Sequence, residues 1–203
     1  EKVDFFGVAS LDEALTLKQE IKDIPILVLG YIPPTDAITV VAEDIRPCIF
    51  TVESAMVASQ AAVQLNRQVK LHIKLDTGMG RIGFLPDNDS LKLIEQIAAL
   101  PGVTIEGIFT HLAEADLEDS SFTREQIKIF TRFINQLEER GINIPLKHCS
   151  NSAALMNFSE AHFDMVRAGI LLYGLFPSPP IKPEKIDVIP AMTLKSKVSY
   201  VKT

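Results

Sequence analysis

Polar residues that close short apolar runs are the first candidates for chemistry, because α/β barrels place their reacting groups where strands pass into loops. Lys74 ends one such run, and Asp76, Gly78, Gly80 and Arg81 follow it. The glycines allow a tight turn and close backbone approach. Arg81 offers a permanently charged fork for a carboxylate or phenolate. A glycine turn carrying two solvated cations reads equally well from local chemistry alone. His111 closes a second run, where a satisfied structural histidine competes with a functional one. The third cluster is His148, Cys149, Ser150, Asn151 and Ser152. Ser and Asn are good helix caps, and a helix start there would equally offer N–H groups and a hydroxyl to an anion. The fourth is Arg167, which interrupts the apolar run MVRAGILLYG and is followed by Gly169 and Ile170. A buried charge at that place needs a partner; the alternative is an exposed arginine on an edge strand.

These clusters need a scaffold, and the chain alternates short apolar strands with amphipathic helices. Strands are expected at residues 3–9, 26–29, 48–51, 69–75, 104–110, 146–149 and 165–168. Helices are expected at 10–20, 35–41, 53–66, 90–100 and 120–140, with a short one starting near Asn151. Ser10 and Glu13 stand at the spacing of a capping box. Ile127, Phe130, Ile134 and Leu137 fall on one helical face. Gly141 supplies the stop.

Such alternation implies a parallel sheet covered by helices, closed into a barrel or left open. No strand leads into GxGxxG, so a dinucleotide fold has no local support. A barrel needs eight strands, and seven are expected here, which places the missing one before residue 1. The strands at 146–149 and 165–168 then become the last two. Many α/β barrels bind phosphate after those strands, where Asn151, Ser152, Gly169 and Ile170 fall.

The totals fit this picture. The chain has 203 residues, 47% hydrophobic and 23% charged, an ordinary folded composition. The net charge of −6 argues against a nucleic-acid partner. Cys48 and Cys149 form neither a metal-type spacing nor a disulfide framework, and read as reduced thiols in a cytoplasmic protein. No metal cluster and no membrane-spanning run is evident. The absent initial Met and the abrupt opening suggest a fragment. After Gly174 the run FPSPPIKPEKIDVIP carries five prolines and reads as a linker. The end, AMTLKSKVSYVKT, alternates like a β-strand.

The segments KLDTGMGRIG, GIFTHLAEAD, HCSNSAAL and MVRAGILLYGLFPS resemble the alanine racemases, a family of pyridoxal 5'-phosphate (PLP) enzymes. FGVASLDEA, VLGYIPP and AMTLKSKV are also similar, and the segments occur in the family's order along the whole chain. The resemblance implies an α/β fold, an incomplete (β/α)8 TIM-type barrel lacking its first strand-helix unit. Residues 1–176 would be the partial PLP-binding barrel, and 177–203 a linker and the start of a C-terminal β domain.

The resemblance also implies roles. Lys74 would match a lysine often carbamylated (N6-carboxylysine) in the family, supporting Arg81. Arg81 would meet the cofactor's phenolic oxygen and the substrate carboxylate. Ser152 and the backbone of Gly169 and Ile170 would bind the cofactor phosphate, with Asn151 in the same pocket. Arg167 would face the pyridine nitrogen, with His111 in the supporting network, and Leu29 would line the pocket. The family's two proton-transfer bases, a Schiff-base lysine and a tyrosine, match nothing here. Tyr31, Tyr173 and Tyr200 stand outside the matching motif. The implied function is interconversion of L- and D-alanine, or serine, by two-base Cα proton transfer, supplying D-alanine for peptidoglycan. The full-length protein would be a cytoplasmic homodimer, and this stretch alone inactive. A decarboxylase-like protein or PLP carrier on the same barrel, and a non-catalytic module with a retained pocket, are the competing readings.

Overall fold

The computed structural model describes residues 3–177 and 186–202 of the chain. Six parallel strands pair strictly in sequence order. They are β1 (Phe6–Val8), β2 (Ile26–Val28), β3 (Arg46–Ile49), β4 (Val69–Lys74), β5 (Val103–Phe109) and β6 (Leu146–His148). Between them run α1 (Leu11–Glu20), α2 (Ala37–Ala42), α3 (Val52–Gln64), α4 (Asn88–Ala98) and α5 (Ser121–Glu139), and α6 (Ser152–Asn157) follows β6. Phe5, just before β1, meets His72 of β4 edge-on, with ring centroids 5.9 Å apart. Two strands separate them in the sheet, so the sheet curls around its own inner face. The fold is the incomplete α/β barrel expected from the sequence.

Local chemistry explains the helices. Ser10 accepts from the Glu13 N–H, and the Glu13 carboxylate accepts from the Ala9 N–H, so both arms of the expected cap form, one residue displaced on the return arm. Thr51, Asp87 and Asn151 cap α3, α4 and α6 in the same way. Ile127, Phe130, Ile134 and Leu137 of α5 are all buried, packing with Leu91, Ile94 and Ile97 of α4 against β4 and β5. Each such side chain contributes about 1.5–3 kcal/mol.

Two strand expectations need correction. β3 begins at Arg46, two residues earlier than expected, and carries Pro47 inside the sheet opposite Val28. Proline normally marks a strand boundary, which is why the sequence placed the strand after it. Residues 165–168 do not form a strand. The segment keeps only two backbone bonds to the β6 region, Asp164 N–H to Lys147 O and Arg167 N–H to Ser150 O. The chain after His148 turns into α6 and offers no further ladder.

Most of the expected linker, residues 178–185, lies outside the described residues. The alternating segment expected at 191–203 forms no strand over its described residues, 191–202; alternation needs a neighbour to pair with. Its Ala191 N–H donates to Tyr173 O. Both cysteines are free and buried. Among the described residues, no helix is long and apolar enough to cross a membrane and no group of side chains could hold a metal ion.

Candidate active site

The carboxyl ends of the strands surround a cavity of about 740 Å³. β1 ends in Val8 with Ala9 beyond it, the turn after β2 contributes Leu29 and Gly30, and β5 ends in Phe109 with His111 beyond it. Arg81 arrives from the loop after β4, Asn151 and Ser152 from the start of α6, and Arg167, Gly169 and Ile170 from the segment that follows. All eight residues expected to line a pocket therefore line this one. Lys74 does not line it.

The loop after β4 is built by its own sequence. Asp76 Oδ1 accepts from the N–H groups of Gly78 and Gly80, both at 3.0 Å. Burial opposes ionisation of Asp76, yet those backbone donors hold its carboxyl below the usual range. The loop then folds back on the strand end, with Phe84 N–H bonded to Lys74 O and Asp76 N–H to Phe84 O. Gly83 permits this return. Its φ is +141°, and a Cβ there would sit 2.5 Å from Asp76 N. Arg81 is thereby left exposed at the cavity rim.

Lys74 points inward. It is 2% exposed, its Nζ donates to Leu75 O at 2.6 Å, and the ammonium lies 5.6 Å from the Phe109 ring centre. Burial pushes its pKa down to about 8, and Arg167 and Arg81 push the same way. Arg167 approaches the same Phe109 ring at 5.4 Å. Its guanidinium donates to Thr110 O at 2.8 Å and Cys149 O at 3.2 Å, and lies 2.6 Å from His148 Nδ1. Desolvation, with Arg81 nearby, brings its pKa down to about 10, so it stays cationic at neutral pH. The partners found for Arg167 are a ring nitrogen and two carbonyls, none of them a carboxylate.

His111 is pushed down to about 4 by burial and by Arg167, Arg81 and Lys74. It therefore stands neutral in a cationic mouth where Asp116 is the acidic lining residue. Ser152 Oγ accepts from the N–H groups of Gly169 at 2.9 Å and Leu171 at 3.4 Å, which ties the loop to α6. Asn151 caps α6 through Oδ1, and its Nδ2 donates to Leu112 O at 3.2 Å. A 3-10 turn, Ile170–Tyr173, starts beside Ser152, and the first N–H groups of such a turn have no acceptor within it. A Cβ on Gly169 would meet only Ser152 Oγ, at 3.7 Å, so the approach to Ser152 and the Ile170 N–H is open. The donor set suits an anionic ligand that also carries a planar group against the apolar wall.

Three functional side chains were missed. His72, Glu106 and Arg46 form a buried polar group below the cavity, joined to Arg167 through His148. Gly107 makes room for it, since a Cβ there would lie 2.3 Å from His72 Nδ1. His72 shares a strand face with Lys74 by simple alternation, and Glu106 is a charge inside an apolar strand. Both signals were present in the sequence.

A family model described as alanine racemase, N-terminal domain, matches residues 1–177. The chain is 44% identical over 199 residues to the alanine racemase of Methanococcus maripaludis, covering 98% of this chain and 53% of that protein. The solved structure of Clostridium difficile alanine racemase in complex with cycloserine superposes with a TM-score of 0.94 at 37% identity, covering 100% of this chain and 56% of that one. A histidine racemase structure from Leuconostoc mesenteroides superposes at 0.83 with 31% identity, covering 92% of this chain and 50% of that one. The chain spans about half the length of the curated relatives it matches.

Proposed function

Because this chain belongs to the family of alanine racemase N-terminal domains, we propose that it is the barrel part of a PLP-dependent amino-acid racemase acting on alanine. The observation that carries this reading is Arg167, held at the cavity by His148, Thr110 O and Cys149 O with no carboxylate among those partners. A guanidinium opposite the pyridine nitrogen donates a hydrogen bond but does not readily give up its proton. When bound, PLP supplies an electron sink that acidifies the substrate Cα–H, and a weakly polarised ring limits that sink. Racemisation asks for no more. Decarboxylase-like chemistry would be better served by a carboxylate at that place, which disfavours that alternative.

The chain's own residues divide the work. Ser152 Oγ and the backbone N–H groups of Gly169 and Ile170 would hold the phosphate, with Asn151 fixing the start of α6 beneath it. Leu29 would pack against the ring. Arg81 would bind the phenolic oxygen and the substrate carboxylate, orienting Cα for proton transfer on both faces. His111, neutral among cations, would accept or donate a hydrogen bond without adding charge. Lys74 has the chemistry of a carbamylation site. With a pKa of about 8, about a tenth of it is a free amine at pH 7, and its carbamate would be an anion able to orient Arg81.

The two proton-transfer bases are proposed to come from outside residues 1–203, so that these residues alone would be inactive. The domain division at 176/177, a cytoplasmic homodimer, and a supply of D-alanine to peptidoglycan belong to the same proposal. The test is to incubate the full-length protein and PLP with L-alanine, L-serine or L-histidine in deuterium oxide. The D enantiomer with deuterium at Cα should form from L-alanine. Release of carbon dioxide, or no exchange with any of the three, would overturn the reading.

A further inference from the structure

Below the cavity, four ionisable side chains stand in contact in one line. Arg167 Nη1 lies 2.6 Å from His148 Nδ1, His148 Nε2 lies 3.0 Å from His72 Nδ1, and His72 Nε2 lies 3.4 Å from Glu106 Oε2. Both imidazoles are 0% exposed. The sheet brings them together, since His72 pairs with Gly107 on β5 and His148 pairs with Phe109 on the same strand. The β4–β5 register shifts at Leu71/His72, leaving Glu106 as an extra residue between partners of Leu71 and His72. That bulge re-aims the Glu106 side chain toward the ring.

We propose that Glu106 is a positioning residue for Arg167, acting through His72 and His148, whose tautomers it fixes. The two ends of the line leave one assignment. Arg167 only donates, so His148 Nδ1 must accept. A neutral ring then carries its proton on Nε2 and donates to His72 Nδ1. His72 must therefore carry its proton on Nε2 and donate to Glu106. Every donor points from the cavity toward Glu106, and each ring has one nitrogen for each duty. Reversing either ring would set two N–H groups against each other or leave two lone pairs facing.

The surroundings support this order. Burial lowers the pKa of both histidines, so both rings are neutral. Burial works against ionisation of Glu106, yet the hydrogen bonds from His72 and Arg46 outweigh it and hold the carboxyl down to about 2. Arg46 Nε binds the same Oε2 at 3.1 Å and is itself tied to Asp44. Gly107 leaves the His72 ring the space it fills. The far end of the line is thus a fixed carboxylate, and the near end a guanidinium locked in one orientation at the cavity.

The assignment is independent of which ligand the cavity takes. Its catalytic consequence rests on the reading of Arg167 given above. The test uses the full-length protein with nitrogen-15 labelled histidine at pH 7.5. In the unmodified protein, both His72 and His148 should give the spectrum of a neutral ring protonated at Nε2. A charged ring, or either ring protonated at Nδ1, overturns the proposal without any variant. In Glu106→Gln the acceptor loses its charge, and with the amide oxygen taken by Arg46 its NH2 faces His72 Nε2 and opposes the order that Arg167 imposes from the other end. The population of Nδ1-protonated rings should then rise tenfold or more, and Arg167 guanidinium protons should exchange with solvent tenfold faster. Glu106→Asp should restore the single tautomer. Unchanged ring spectra in Glu106→Gln would mean that Glu106 merely fills space, and would also overturn it. If the tautomers are as assigned but PLP does not bind, the proposed function fails while this inference stands.

Discussion

Replacing Lys74 by methionine should make the protein more stable near neutral pH and less so in alkali. Methionine keeps most of the length and removes the charge. The fall of the Lys74 pKa from 10.5 to about 8 corresponds to about 3 kcal/mol, at about 1.4 kcal/mol for each tenfold change in proton affinity. The sign follows from proton counting. Between pH 8 and 10.5 the unfolded chain holds a proton on this lysine and the folded protein does not. The cost of burying the cation is therefore fully present below pH 8, shrinks as the pH rises, and is gone above 10.5. Against this, Lys74→Met loses the hydrogen bond to Leu75 O, about 1 kcal/mol or somewhat more.

The variant should thus be about 2 kcal/mol more stable at pH 7 and about 1 kcal/mol less stable at pH 11. Urea denaturation of both proteins at intervals between those pH values, in buffers freed of carbon dioxide, measures the difference. Other titrating groups cancel in the comparison. With bicarbonate added at pH 7.5, carbamylation should stabilise the unsubstituted protein and leave the variant unchanged. A difference that stays flat from pH 7 to 11 would refute the claim that Lys74 is buried as a destabilised cation.

Three further outcomes are expected. Ser152→Ala removes the oxygen that accepts from Gly169 and Leu171. It should cost about 1–3 kcal/mol in denaturant unfolding and weaken PLP binding in the full-length protein by more than tenfold in a fluorescence titration. His111, lowered to about 4, should show no ring titration by NMR between pH 5.5 and 9. Because its folded pKa lies below the unfolded one, it should contribute to the loss of stability as pH falls from 6.5 toward 4. Gly107→Ala would place a Cβ 2.3 Å from His72 Nδ1. It should destabilise by about 1–3 kcal/mol in thermal or urea unfolding, with His72→Ala in the same background recovering part of the loss.

The helices were legible because their signals are local. The buried stripe of α5 and the caps at Ser10 and Asn151 depend on residues three or four apart. The cavity was legible in a different way, since strand ends and matching segments pointed to the same seven positions, and the matching segments alone added Leu29. What stayed hidden depends on distance along the chain or on backbone irregularity. His72 and His148 meet although they are 76 residues apart. Nothing local announces that pairing, nor that a bulge turns Glu106 toward them. Pro47 misled the reading of β3 because its usual meaning at a strand edge does not hold between β2 and β4. The expected strand at 165–168 was an apolar run whose backbone instead delivers Arg167, and the side chain takes the carbonyls of Thr110 and Cys149.

The two buried thiols have a practical consequence. Burial pushes Cys48 and Cys149 each up to about 12, so only about one part in 100,000 of either is thiolate at pH 7. The thiolate is the reactive form, and both sulfurs are shielded from reagents. Cys48 and Cys149 are the only cysteines in the chain, which makes the folded chain silent toward alkylating probes. Tyr31, 59% exposed and part of the cavity lining, is a place to break that silence. An alkylating fluorophore added to a Tyr31→Cys variant would label the cavity mouth against an empty background. Its emission would then report ligand entry directly, with no need to remove either native cysteine.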